Sequence, residues 1–141
     1  MKKKTKPVQQ EPQTKKHNGS YSKNKGNRYE QKIARELREI GFTGVKTSRT
    51  QNKEADNNKV DIVDTENKLP VNIQIKKTQS IPSYFKIREE STVDPNTFCI
   101  IWAKQEKKEK NICTIGEVAI VPKEFFYEML KLYNERNSSN L

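Results

Sequence analysis

Asp61, Gln74 and Lys76 have the residue types and the spacing for work on a phosphodiester. Twelve residues separate Asp61 from Gln74, and Lys76 follows Gln74 by two. On a strand, that second interval puts Gln74 and Lys76 on one face, because successive side chains point to opposite sides. Phosphodiester hydrolysis at neutral pH needs a hard divalent ion on oxygen ligands, a water made more acidic by that ion, and a cation beside the attacked phosphate. The Asp61 carboxylate and the Gln74 amide oxygen are candidate ligands, the backbone carbonyl of Ile75 is a third, and Lys76 supplies the positive charge. Glu30, far upstream, adds a carboxylate from another element.

The elements that must position these groups are legible from periodicity. Val71, Ile73 and Ile75 alternate with Asn72, Gln74 and Lys76, which predicts a strand with one core face and one polar face. Residues 60–64 read as the preceding strand and 65–69 as a turn, so the two strands should form a hairpin. Tyr29, Ile33, Leu37 and Ile40, at steps of four, four and three, predict a helix over 27–40. Asn27 would cap it, Glu30 would answer the cap, and Gly41 would stop it. At about 100° per residue, Glu30 lies at the border of the apolar stripe, beside Ala34 and Leu37.

Further along, 45–50 predicts a short strand and 51–59 a polar loop carrying Lys53 and Asp56. Residues 80–90 are compatible with a short helix, 97–103 with a central strand buried on both faces, and 104–110 with a charged turn. One or two strands over 112–121 and a last helix over 122–134 complete the order. Phe98, Trp102, Phe125 and Phe126 are expected in the core, and Asp64, three residues from Asp61, is expected to be structural. The fold class is α/β, a mixed central sheet flanked by helices.

With 141 residues, the chain has room for one domain. Its net charge of +10 is uneven, since residues 1–28 hold nine Lys or Arg and the single acid Glu11. That segment has only Met1, Val8 and Tyr21 as apolar side chains, too few to offset the entropy of ordering it. The division expected is a disordered basic arm over 1–26, a globular domain over 27–136 and a disordered tail over 137–141. Lys15, Lys16, Lys23, Lys25 and Arg28, with Lys46, Arg49 and Lys77 nearer the site, are expected to meet a nucleic-acid backbone, with binding that falls steeply as salt rises. No secretory signal or membrane-length apolar run is present, so a cytoplasmic protein away from membranes is expected. Cys99 and Cys113 sit in apolar runs and are expected as buried thiols.

Glu30 in an opening helix, Asp61 at the start of a strand, and Gln74-Ile75-Lys76 in the next strand resemble the PD-(D/E)xK nuclease superfamily, in particular its archaeal Holliday junction resolvase-like and phage endonuclease branches. Lys25-Gly26-Asn27-Arg28-Tyr29-Glu30, leading into Ile33, Leu37 and Gly41-Phe42, is similar to the way such resolvases begin. The resemblance implies a restriction-endonuclease-like mixed sheet flanked by helices and cleavage of branched or double-stranded DNA that depends on Mg²⁺, with Mn²⁺ as a substitute. It implies metal ligands at Glu30, Asp61 and Gln74, a catalytic Lys76, and a homodimer in the cytoplasm of a bacterium, or of a host if phage-encoded.

Two positions depart from the family pattern. Val60 precedes Asp61 where Pro is usual, and Gln74 stands where most members carry Asp or Glu. The amide keeps an oxygen lone pair but removes one negative charge from the metal site. The alternative reading is a catalytically inactive nucleic-acid-binding protein that retains the nuclease fold.

Overall fold

The computed structural model describes residues 19–48 and 58–139, with side chains described from residue 26. Lys15, Lys16, Arg49, Lys53 and Asp56 lie outside the described residues, and so do the side chains of Lys23 and Lys25. Helix α1 (Gly19–Glu39) starts eight residues before the predicted position, so Asn27 is a mid-helix residue and neither caps the helix nor forms a capping box with Glu30. The extension is reasonable locally: Lys23 and Lys25 are good helix formers, and Gly26 costs only about 1 kcal/mol. The stop is as expected. Gly41 takes φ 118°, and the N–H groups of Gly41 and Phe42 donate to Arg38 and Leu37 carbonyls at 3.1 and 3.0 Å, a Schellman closure that satisfies the last carbonyls of the helix.

Tyr29, Ile33 and Ala34 of α1 pack with Val45 of β1 (Val45–Thr47), Ile62 of β2 (Ile62–Asp64) and Ile73 and Ile75 of β3 (Asn72–Thr78). Each of the larger side chains contributes about 1.5–3 kcal/mol by leaving water. β1 and β2 pair antiparallel, with Thr47 opposite Ile62. Gly44, just before β1, has no room for a side chain: a Cβ there would lie 2.6 Å from Asp64 Oδ1 and 2.8 Å from Thr65 Oγ1.

The expected hairpin between β2 and β3 is loosened. Asp64 Oδ1 accepts the N–H of Glu66, and its Oδ2 accepts those of Lys68 and Leu69. These bonds hold the carboxyl below its ordinary value and confirm a structural role for Asp64. β2 lies in a sheet with β1, whereas β3 joins a second, mixed sheet of order β3-β4-β5.

In that sheet β3 runs parallel to β4 (Phe98–Lys108), and β4 antiparallel to β5 (Asn111–Ile120). Between β3 and β4, helix α2 (Tyr84–Glu90) lies over the far face of the sheet, where the Tyr84 hydroxyl donates to the Phe98 carbonyl at 2.6 Å. β4 is the central strand predicted: Phe98 and Ile100 are fully buried on one face, Cys99 and Ala103 on the other. It runs on through the segment expected as a turn. Only Glu109 and Lys110 separate the two strands, Glu109 at φ 52°. Beyond the body of the sheet this ribbon meets water on both faces, which is why lysines fit it.

Three core expectations fail. Helix α3 (Lys123–Ser139) buries none of its residues, leaving Phe126, Met129, Leu130 and Tyr133 exposed and Phe125 half-buried, because the helix does not fold back on the sheet. Cys99 is buried, which pushes its thiol up to about 12, whereas Cys113 is exposed on β5. Trp102 is half-buried rather than central, its indole N–H donating to Thr78 Oγ1 at 3.0 Å. Among the described residues, no helix is long and apolar enough to cross a membrane.

Candidate active site

Asp61 lies between buried Val60 and Ile62 at the mouth of β2. Its N–H donates to the Ile73 carbonyl at 2.8 Å, and its own carbonyl accepts the Ser48 N–H at 2.8 Å. With that carbonyl turned toward β1, the side chain takes its place against β3: Oδ2 accepts the Ile75 N–H at 2.7 Å. Asp61 therefore fastens the two sheets together and lays its carboxylate along the edge of β3. Because the N–H and C=O of one strand residue point to the same edge, the Ile75 carbonyl faces that edge as well.

The register of β3 separates its side chains. Lys77 lies over the Tyr29 ring, its Nζ 5.4 Å from the centroid, so Ile73, Ile75 and Lys77 face α1. Gln74 and half-buried Lys76 face the other way, Lys76 in register with Trp102. Gln74 is 7% exposed, and its Oε1 has no hydrogen-bond partner among the described residues. Glu30, 5% exposed, comes from α1, which packs on β1 and β3. Asp61 and Ile75 thus meet at one edge of β3, Gln74 and Lys76 lie on its face away from α1, and Glu30 is a buried residue of α1 on the other side.

Ser48 was not singled out by sequence. It is fully buried, its N–H is held by Asp61, and its Oγ has no hydrogen-bond partner among the described residues. The only hint was its place at the end of a predicted strand. A second missed group sits beside Glu30: the Tyr29 hydroxyl donates to Glu117 Oε1 at 2.8 Å, and Lys32 Nζ reaches the same oxygen at 3.1 Å. These contacts hold the Glu117 carboxyl below its ordinary range, the Tyr29 bond foremost. Burial in turn raises the Tyr29 phenol, with the Glu117 bond adding to it. Arg28 and Lys46 are exposed, as a backbone-contacting role requires.

Among the described residues, no three His, Cys, Asp or Glu side chains cluster as metal ligands. The donor set here is different, with carboxylate, amide and carbonyl oxygens. A buried amide oxygen without a donor costs roughly 1–3 kcal/mol, and a hard cation would repay that cost. The residues present fit a divalent ion that prefers oxygen.

Comparison with curated proteins and with solved structures gives no match. Residues 21–113, well over half of the chain, match the family described as archaeal Holliday junction resolvase, Hjc. This supports the archaeal branch of the two that the sequence resembles, and it gives no support to a phage endonuclease or to a bacterial or phage source. Resolvases of this family depend on a divalent metal and act on branched DNA. By that match, and in keeping with its mixed sheet and flanking helices, the chain belongs to the archaeal Holliday junction resolvase family and is a metal-dependent endonuclease that cleaves Holliday junctions.

Proposed function

We propose that the chain hydrolyses the phosphodiesters of a four-way junction beside Asp61, with Mg²⁺ as its ion and Mn²⁺ as a substitute. The observation that carries the assignment is the 2.7 Å bond from Ile75 N–H to Asp61 Oδ2, which fixes the acid beside the strand bearing Gln74 and Lys76. Asp61, the Gln74 amide oxygen and the Ile75 carbonyl would hold the ion, with Glu30 adding a carboxylate from α1. When bound, the ion supplies a more acidic water and withdraws charge from the scissile phosphate. Lys76 contributes a positive charge next to the charge that builds on the phosphate oxygens. The backbone bonds to Asp61 keep its carboxylate from reorienting during the reaction.

Two symmetric cuts need two sites, so the active species is a homodimer with a two-fold axis. Its support is two exposed elements, β5 and α3. β5 is exposed over residues 111–119 and α3 buries nothing. Their ten and seventeen residues match the roughly 20–30 that a standard interface uses on each side. On α3 three acids, Glu124, Glu128 and Glu135, balance Lys123, Lys131 and Arg136, and a neutral face suits the joining of two chains that each carry +10.

Incubating the protein with a four-way junction in Mg²⁺, Mn²⁺ or EDTA tests the reading. Paired nicks that need the ion and disappear in Lys76→Ala, with junction binding retained, are expected. Cleavage that survives EDTA or the Lys76 substitution would overturn it.

A further inference from the structure

The charges of α1 are sorted by flank. At about 100° per residue, Arg28, Gln31, Arg35 and Arg38, spaced three, four and three, share one exposed side. That side borders the buried stripe at Glu30 and Ala34. Glu36 lies on the opposite flank with Lys32, which turns toward Glu117, and Glu39 lies between the two flanks, four residues after Arg35. The arginine flank thus has one acid, Glu39, at its edge and runs beside Glu30.

Across from it lies β1. Gln31, Ala34 and Arg38 line one wall of a groove of about 200 Å³, and Lys46 and Thr47 line the other. The Arg38 guanidinium crosses to the Val45 carbonyl at 2.9 Å, which holds its charge next to exposed Lys46. One residue beyond Thr47, the Ser48 N–H is bonded to Asp61. The positive line therefore ends at the candidate active site. From Arg28 to Arg38 the helix rises about 15 Å, a length over which one strand of a duplex presents about four phosphates.

We infer that Arg28, Arg35 and Arg38 of α1, with Lys46 of β1, form a track that seats the phosphate backbone of one junction arm and leads it to the Asp61 site. The inference rests on the proposed reading of that site. Apart from Arg28, the track lies beyond the basic N-terminal segment, and it contacts phosphates and not base edges, so it carries affinity without sequence preference.

Fluorescence anisotropy on a labelled four-way junction across a salt series tests the track, using full-length protein. Arg35→Ala should weaken binding about three- to tenfold and reduce the slope of log K against log salt by about 0.9, the value for one phosphate contact. Arg35→Ala with Lys46→Ala should reduce it by about 1.8, and Arg35→Glu should weaken binding further, each with an unchanged Tm. Lys86→Ala on α2, an exposed lysine away from the track, should leave both affinity and slope as in the parent. Parental affinity and slope in the double variant, with junction cleavage intact, would overturn the track alone. Loss of slope in a protein that binds the junction but never cuts it would uphold the track while removing the cleavage reading.

Discussion

The Asp61 carboxylate occupies the place of a sheet carbonyl, accepting the Ile75 N–H at 2.7 Å while the Asp61 main-chain oxygen serves Ser48. One side chain thus completes the sheet and is also the acid proposed to hold the ion. The two roles separate by substitution. Asp61→Asn keeps an acceptor for Ile75 but loses the charge, so it should unfold near the parental Tm while junction cleavage falls by at least about 100-fold, the effect of losing one strong electrostatic contact in an active site. Asp61→Ala should also lose about 1–3 kcal/mol of stability, because the Ile75 N–H is left buried without a partner. Thermal melts beside a cleavage assay distinguish them.

Gln74 tests the charge of the site. Gln74→Glu restores the acid usual in related nucleases, and without metal it buries a carboxylate where an amide sat, so the metal-free protein should melt lower. Mg²⁺ should then raise the Tm more than in the parent, and half-saturation should need about tenfold less ion, or about 1.4 kcal/mol of tighter binding. Melting curves at graded Mg²⁺ read this without any DNA. An equal Mg²⁺ response in the two proteins would remove Gln74 from the ligand set.

Acid should destabilise the fold through two named carboxylates. Glu117, held low mainly by the Tyr29 hydroxyl, and Asp64, held low mainly by the Glu66 N–H, both have folded values below their unfolded ones. Their contribution is complete above the ordinary carboxylate range near 4 and is lost as pH falls through the depressed values. Tyr29 acts on the other side: its raised phenol contributes below about 10 and its contribution fades as pH climbs toward the folded value. Tm should therefore be level between about pH 5 and 9 and drop beyond each end. Glu117→Gln should flatten the acid limb, a change seen by differential scanning calorimetry.

The exposed face of β5 and α3 predicts the assembly. Leu130→Asp and Val118→Asp place a charge among side chains about half exposed in the single chain. Both should leave the secondary structure unchanged by circular dichroism and convert dimer to monomer in sedimentation. On a junction the monomer should leave single nicks in place of paired cuts. A dimer that persists in both variants would place the interface elsewhere.

Much of the site was readable because strand alternation is a local property. Ile73 and Ile75 against Gln74 and Lys76 fixed the face of each residue on β3, and the i, i+4 spacing of Tyr29 and Ile33 fixed the buried side of α1. What escaped was non-local or depended on a competing local choice. Asn27 looked like a cap because polar residues precede it, but those residues are themselves compatible with helix. Phe126 looked like core because apolar periodicity reveals a sticky face without naming what covers it. Ser48 and the Tyr29–Glu117 pair depend on contacts across 13 and 88 positions of sequence, which no spacing rule encodes. Residues 1–18 and 49–57, where several basic side chains and Asp56 were expected to act, lie outside the described chain.

Trp102 is the single tryptophan of the chain. It stands in register with Lys76, and its indole bonds to Thr78 at the end of β3. The molecule consequently carries its own optical reporter. Any shift of β3, on taking up an ion or on gripping DNA, alters the polarity and quenching around this one fluorophore, so events at the proposed site can be followed in real time with no label attached.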